Sequence, residues 1–116
     1  MSGKSEFYNA RAYFEGLRNV VNGRMLINDR NLFITERYNH FIKRLIERVP
    51  NKHHICLMEK VIAKISRFNF DNKINRNIKV RFDEYNVVVC LRPSLVYDRL
   101  CVTVATVYNQ NKHLHS

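Results

Sequence analysis

Glycine and proline are scarce in this chain, and tryptophan is absent. Three glycines and two prolines among 116 residues give no Gly- or Pro-rich linker, so we expect a single domain over residues 1–116. The chain also lacks an apolar run near the ~18 residues of a membrane span, and its basic start is not followed by the apolar segment of a signal peptide. We therefore expect a cytoplasmic protein that does not enter a membrane.

Cysteine is too rare and too scattered to form a disulfide framework. Cys56, Cys90 and Cys101 are an odd set without short paired spacings, so neither a disulfide scaffold nor a zinc site is indicated. We expect all three to be reduced residues of the core. The five histidines are an isolated one, an adjacent pair and two in a polar tail, which is not a ligand spacing. No metal or other cofactor is expected.

Acidic residues are the other scarce class. Ten Asp and Glu accompany twenty Lys and Arg, which gives a net charge of +10. This balance favours a polyanionic partner, with nucleic acid or a ribosomal surface the leading candidates. The basic residues are spread along the whole chain instead of forming one cationic amphipathic helix, which disfavours a membrane surface. The simplest alternative is that the charge only keeps the protein soluble.

A first amphipathic helix is predicted over residues 5–21, where apolar residues recur at three- and four-residue steps. Ser5 is placed to cap its start and Gly23 lies just past its end. Residues 24–33 have a weak pattern, in which 25–27 form either a short strand or a further turn.

Two more helices are predicted next. The second covers residues 36–49, with Thr35 as its N-cap and Pro50 as its stop, because a proline ring cannot continue the helical hydrogen bonds. The third covers residues 51–67, whose apolar stripe repeats at three- and four-residue steps.

The remainder of the chain is predicted to form strands. β-branched and aromatic residues are concentrated in residues 78–82, 85–91 and 101–108. Asp83-Glu84 is a tight-turn candidate, and residues 92–99 are predicted to be a longer connection. The expected class is α+β, with about three N-terminal helices packed on one face of a C-terminal antiparallel sheet of three to four strands. Residues 109–116 are expected to be a frayed tail.

The second predicted helix carries the most suggestive pattern in the chain. His40, Arg44 and Arg48 recur at four-residue steps and therefore lie along one strip of the helix. Imidazole titrates near neutral pH and guanidinium binds phosphate oxygens bidentately, so the strip combines a proton-transfer group with two phosphate-binding groups.

Three segments together resemble a known family. They are Tyr13-Phe14-Glu15 in the first helix, the His-x-x-x-Arg-x-x-x-Arg run at 40–48, and Val89-Cys90-Leu91-Arg92-Pro93 followed by Cys101-Val102. In this order they resemble the RelE-like small ribonucleases, and most closely the phage RegB endoribonuclease family. One departure is Lys60, which stands where that family has a second functional histidine.

The resemblance implies a metal-independent endoribonuclease that cleaves single-stranded mRNA by transesterification. RNA supplies its own 2′-hydroxyl nucleophile, so proton transfer and stabilisation of the phosphorane are sufficient, and the products are a 2′,3′-cyclic phosphate and a 5′-hydroxyl. His40 would be the acid or base, Arg44 and Arg48 the phosphate-binding groups, and Glu15 the base or the group that orients His40. Lys60 would stabilise charge. The residues expected to bind RNA are Arg11, Arg18, Lys43, Lys64, Arg81, Arg92 and Tyr97. The resemblance also implies a ribosome or ribosomal protein as a partner, and a phage-infected bacterial cytoplasm.

Two other functions remain open. A non-catalytic RNA- or ribosome-binding protein of the same fold is favoured by Lys60, because a lysine of ordinary pKa is a poor base near neutrality. A phage factor that binds an acidic host protein would also need a basic surface. Structural roles are open too: His40 bonded to a backbone carbonyl, the two arginines paired with glutamates, and Glu15 in a surface charge pair.

Overall fold

The chain folds into three helices and a five-stranded sheet. The computed structural model describes residues 3–110, with side chains from Ser5 onward. In chain order the elements are α1 Gly3–Val21, β1 Leu26–Ile27, β2 Arg30–Glu36, α2 His40–Arg48, α3 His54–Arg67, β3 Ile78–Phe82, β4 Val87–Val96 and β5 Arg99–Asn109. Short 3₁₀ turns at Asn51–His53 and Asp83–Tyr85 precede α3 and β4. The predicted α+β class is confirmed.

The sheet has the strand order β1-β2-β5-β4-β3. β2 runs parallel to β5, and the other neighbours are antiparallel. The prediction of an antiparallel sheet with three to four strands, all after the helices, is therefore wrong, because β1 and β2 precede α2. β2 is weakly signalled because only Leu32 and Ile34 alternate as fully buried residues in this short strand.

One face of the sheet forms the core with the helices. Leu100, Val102 and Val104 of β5 are buried on this face, and the residues between them point to the opposite face. A bulge in β5 leaves Ala105 without a partner in β4, because Cys90 pairs with Thr106 and the next residue pairs with Val104. After the bulge, the buried position moves to Val107.

The helices cover this core face with apolar side chains. Phe14 of α1 and Phe41 of α2 are fully buried, with their ring centroids 5.1 Å apart. Leu57, Met58 and Ile65 supply the buried stripe of α3. The helices therefore leave the opposite face of the sheet available for a site.

Two predicted boundaries in the sheet are wrong. Thr35 is not a helix cap but lies in β2, where its Oγ1 is 3.0 Å from Oγ1 of Thr103, and α2 begins only at His40. The predicted connection at 92–99 is instead strand, since β4 continues to Val96 and a two-residue turn leads into β5.

The predicted placement of the cysteines is correct only for Cys90. Cys90 is buried, whereas Cys56 is exposed on α3 and Cys101 is half-buried on the open face. At the predicted tail, Asn109 pairs with Val87 in the sheet, and the N–H of Gln110 donates to Asn86 O at 2.9 Å. Residues 111–116, with two of the histidines, lie outside the described residues.

None of the helices in residues 3–110 has the length and apolar character needed to cross a membrane.

Candidate functional site

A cleft of about 760 Å³ opens on the face of the sheet that the helices do not cover. We call it the open-face cleft. It is lined by Thr35, Glu36, Arg37, Tyr38, His40, Lys43, Asn77, Arg92, Ser94, Thr103 and Ala105.

Small hydroxyl side chains form the floor of the open-face cleft. Thr35, Thr103 and Ser94 come from β2, β5 and β4, which are neighbours in the sheet. The unpaired Ala105 of the β5 bulge lies beside them. These residues lie on the face opposite the core because side chains alternate along each strand. The floor therefore offers hydrogen-bonding groups on rigid strands.

The connection between β2 and α2 forms one wall of the cleft. Tyr38 and Asn39 both have left-handed backbones, with φ of 55° and 58°. Asparagine tolerates this conformation, but a bulky aromatic residue is an outlier there. The turn lets His40 begin α2 directly beside the cleft, with its N–H donating to Arg37 O at 3.0 Å.

Cationic side chains dominate the cleft. Arg37, Lys43 and Arg92 are exposed and line it together with His40. Arg37 lies over the ring of Tyr38, 5.7 Å from the centroid, and Arg92 Nη1 donates to Asn77 Oδ1 at 3.3 Å. The N-terminus of α2 adds a partial positive charge at the same end. The cleft is thus suited to bind an anion.

Glu36 is the only carboxylate among the lining residues of the open-face cleft. Its Oε1 accepts a hydrogen bond from the N–H of Ile42 at 3.0 Å, which satisfies one free donor of the first turn of α2. Burial raises the pKa of Glu36, although the Ile42 N–H and the charges of Arg18 and Arg11 act in the opposite direction. A carboxylate with a raised pKa is a better proton acceptor than an ordinary one.

The cleft contains three of the predicted site residues. His40, Lys43 and Arg92 line it together, although they come from α2 and β4. The sequence groups His40 with the residues four and eight positions further along α2. The cleft instead groups His40 with Lys43, three positions further along the helix. Both spacings lie on the same side of a helix.

The other predicted catalytic residues do not line the open-face cleft. Arg44 Nη1 forms an ion pair with Glu47 at 2.8 Å, and Arg48 Nη1 donates to Val107 O at 2.8 Å, beyond the part of β5 that pairs with β2. Glu15 lies on the exposed side of α1. These residues therefore do not join His40 in this cleft, because α2 touches the cleft only with its first turn, and their catalytic roles stay predictions.

Lys60 is also placed away from the cleft. It forms an ion pair with Glu84 and lies over the ring of Tyr85, 5.3 Å from the centroid. The hydrogen bond to Glu84 raises the pKa of Lys60. Lys60 is therefore a worse proton acceptor near neutrality than an ordinary lysine.

The remaining predicted RNA-binding residues are dispersed. Arg18 is half-buried on α1, where Nη1 donates to Ile34 O at 3.3 Å, so it supports β2. Arg11 is exposed on the same helix. Tyr97 is 94% exposed at the tip of the β4–β5 turn, outside the cleft. Lys64 and Arg81 line a different groove along β3.

The adjacent histidines, His53 and His54, each contact a neighbouring group of the fold. His54 is buried, and its Nε2 lies 2.7 Å from the backbone oxygen of Val49. The ring of His53 packs at 5.1 Å from that of Tyr85. Neither lines the open-face cleft.

Several lining residues were not predicted as site residues, namely Thr35, Glu36, Arg37, Tyr38, Asn77, Ser94 and Thr103. The Tyr-Asn pair before His40 is a sequence signal for a turn, since Asn favours left-handed backbones. The strand residues give no such signal, because their grouping depends on the parallel pairing of β2 and β5.

Within residues 3–110, no group of three or more His, Cys, Asp or Glu side chains is arranged to hold a metal ion. The fold and the cleft define a small basic α+β protein with a cationic site on the uncovered face of its sheet. A comparison with protein-family models, curated proteins and solved structures finds no match for the chain.

Proposed function

We propose that the open-face cleft binds single-stranded RNA and that the protein is a metal-independent endoribonuclease that uses His40. The observation that supports this most is the position of His40 beside Arg37, Lys43 and Arg92 in one cleft. A histidine that transfers protons, next to side chains that bind a phosphate, meets the needs of cleavage by the 2′-hydroxyl of RNA. The resemblance to the RegB and RelE-like ribonucleases, including their fold, is part of this proposal.

In the proposed reaction the 2′-oxygen attacks the adjacent phosphorus and the bond to the 5′-oxygen breaks. Glu36 accepts the 2′-hydroxyl proton, helped by the burial that raises its pKa. His40 donates a proton to the leaving 5′-oxygen. Arg92 and Lys43 stabilise the charge on the phosphorane. Glu36 thus takes the carboxylate role that the sequence assigns to Glu15.

The proposal is tested by incubating the protein with a long single-stranded RNA in EDTA and mapping the new ends. Wild type should give discrete cuts with 2′,3′-cyclic phosphate and 5′-hydroxyl ends, and His40→Ala should lower the rate at least about 100-fold, the usual contribution of a general acid or base. His53→Ala is a matched control outside the cleft and should cut at the wild-type rate. Equal rates for wild type and His40→Ala would reject the assignment of His40.

A non-catalytic RNA- or ribosome-binding protein is the second candidate. It is favoured by the engagement of Arg44, Arg48 and Lys60 in contacts outside the cleft. Under this alternative the RNA stays intact while Lys43→Ala and Arg92→Ala still weaken its binding. The ribosomal partner and the bacterial cytoplasm stay predictions from the resemblance, as does the acidic host protein as the third alternative.

A further inference from the structure

A second groove, of about 590 Å³, follows β3, the edge strand opposite β1. We call it the β3 groove. Its lining runs from the end of α3, through the loop before β3, to β3 itself, and consists of Lys64, Phe68, Lys73, Arg76, Asn77, Ile78, Lys79, Val80 and Arg81.

The lining of the β3 groove contains five Lys or Arg residues and no Asp or Glu. Arg81 is engaged, since its Nε lies 3.7 Å from Asp83 Oδ1 and its guanidinium lies beside the side-chain amide of Gln110. Lys73 and Arg76 are exposed, and within residues 3–110 neither side chain has a hydrogen-bond or ion-pair partner. These two cations are therefore available to an external anion.

The loop that carries Lys73 and Arg76 is held in place. The N–H of Asn75 donates to Pro93 O of β4 at 2.7 Å, and the N–H of Arg76 donates to Lys73 O at 3.0 Å. Asn72 and Asn75 supply the left-handed residues that the loop needs. The two cations consequently project from a backbone that is anchored to the sheet beside Arg92.

The β3 groove and the open-face cleft meet at Asn77. Asn77 lines both, and Arg92 of the cleft donates to its side-chain oxygen at 3.3 Å. Cations therefore line both of the grooves that share Asn77, with Lys43 and Arg92 in the cleft and Lys73 and Arg76 in the β3 groove. These cations are suited to bind a flexible chain with regularly repeated negative charges. A phosphodiester strand is such a chain.

We propose that an RNA strand whose cleaved phosphate lies in the open-face cleft continues past Asn77 into the β3 groove, where Lys73 and Arg76 bind the phosphates that follow. This inference rests on the proposed function of the cleft and adds a second binding segment to it. It makes the affinity depend on RNA length, because a short RNA fills the cleft alone.

The test compares RNA oligomers of about three and about twelve nucleotides by fluorescence anisotropy over a series of salt concentrations, with 2′-O-methyl sugars to prevent cleavage. In the Lys73→Ala/Arg76→Ala double variant, loss of two phosphate contacts should lower the slope of log affinity against log salt by about 1.4 for the long RNA. The affinity of this variant for the long RNA should fall about 10-fold or more at low salt, and its affinity for the short RNA should be unchanged.

The matched control is Arg24→Ala/Lys52→Ala, which removes the same charge from two exposed positions that line neither the cleft nor the groove. The control should retain most of the affinity for the long RNA. Equal losses in the two double variants would overturn the inference, since net charge alone would then explain the binding.

Two further outcomes separate this inference from the proposed function. If the cleft variant Lys43→Ala/Arg92→Ala weakens binding of both RNAs but the groove variant weakens binding of neither, RNA binding by the cleft is supported and the inference about the β3 groove is overturned. If the groove variant weakens binding of the long RNA while the cleft variant binds both RNAs as wild type does, the path of the RNA from the cleft into the groove is overturned together with the proposed function. Competition by polyglutamate as strong as that by RNA would also overturn the inference and indicate an acidic protein partner.

Discussion

Tyr38 combines a strained backbone with a side chain that is hardly packed. Its φ is 55° and its side chain is 83% exposed. A left-handed conformation costs an ordinary L-residue about 1–2 kcal/mol, and an exposed ring recovers little of this by burial. Strained residues without a packing role concentrate at functional sites. We therefore expect Tyr38 to stack an unpaired base at the mouth of the open-face cleft.

Replacement of Tyr38 by glycine should separate function from stability. Glycine adopts this backbone without strain but gains freedom in the unfolded chain, so Tyr38→Gly should be neutral or raise the free energy of unfolding by up to about 1 kcal/mol. Loss of base stacking should lower RNA affinity about 10-fold, while Tyr38→Phe should bind as wild type. Urea unfolding and fluorescence anisotropy measure the two effects.

Tyr97 is a natural control for this experiment. It has nearly the same φ, 57°, and is 94% exposed, but it lies at the β4–β5 turn outside the cleft. Tyr97→Gly should therefore match Tyr38→Gly in stability and leave RNA affinity unchanged. A similar loss of affinity in both variants would reject the stacking role of Tyr38 and return Tyr97 to the set of RNA-binding residues.

Glu36 should make the stability of the protein depend on pH. Burial raises its pKa in the folded state above the ordinary value of 4.5. The folded state then binds a proton more tightly than the unfolded state, so the stabilisation from this proton is complete below about pH 4.5 and is lost as the pH rises through the folded pKa.

The corresponding variant is Glu36→Gln, which keeps an oxygen to accept the Ile42 N–H but does not titrate. The free energy of unfolding of wild type minus that of Glu36→Gln should be smaller at about pH 7 than at about pH 4. Urea unfolding at the two pH values measures it. A difference that is constant with pH would show that the pKa of Glu36 is not raised. Glu36→Ala should lower stability at both values because the α2 cap is lost.

At the scale of elements, the sequence predicts the helices and strands whose apolar residues follow one clear period. The span of β3 is as predicted, and α3 ends at Arg67 as predicted, since residues with one period fill these segments. The start of α2 is missed because Thr35 and Glu36 satisfy the usual rule for a cap while belonging to β2. Their place is decided by the parallel partner β5, which lies more than sixty residues away in the chain.

The candidate site is only partly predictable for a related reason. His40 and Lys43 are neighbours on one helix, so local periodicity is sufficient to group them. Arg92 joins them through the sheet, and Asn77 through a loop anchored to β4. The four-residue strip of α2 does not line this cleft as a whole, because only its first turn reaches it.

The junction between α2 and α3 depends on His54. Its Nε2 lies 2.7 Å from Val49 O, at the C-terminal end of α2, and the side chain is buried. His54→Ala should lower the free energy of unfolding by about 2–4 kcal/mol, because it leaves a buried carbonyl unpaired and a cavity behind. Thermal or urea unfolding checks this, with His53→Ala expected to cost clearly less. Equal losses of unfolding free energy for His54→Ala and His53→Ala would show that the contact between His54 and Val49 O contributes little to stability.

At the scale of the whole molecule, the two grooves with the most cations are neighbours. The open-face cleft and the β3 groove share Asn77, and Lys43, Arg92, Lys73 and Arg76 are among the residues that line them. A groove of about 330 Å³ between α1 and α3 has a different character, with Glu6 and no Lys or Arg among its lining residues. A polyanion is therefore better matched by the open-face cleft and the β3 groove than by the groove between α1 and α3.

This asymmetry predicts where bound RNA protects the backbone. With a 2′-O-methyl RNA of about twelve nucleotides, hydrogen exchange should slow at residues 37–40 and 72–79, because both segments contribute lining residues to the occupied grooves and are mostly exposed in the free protein. Exchange in α1, on the covered side of the sheet, should not change. DNA of the same sequence should give the same pattern, since phosphate contacts do not require the 2′-oxygen. Protection centred on α1 and the start of α3 would place the RNA on the helical side and contradict both the cleft and the groove as its binding site.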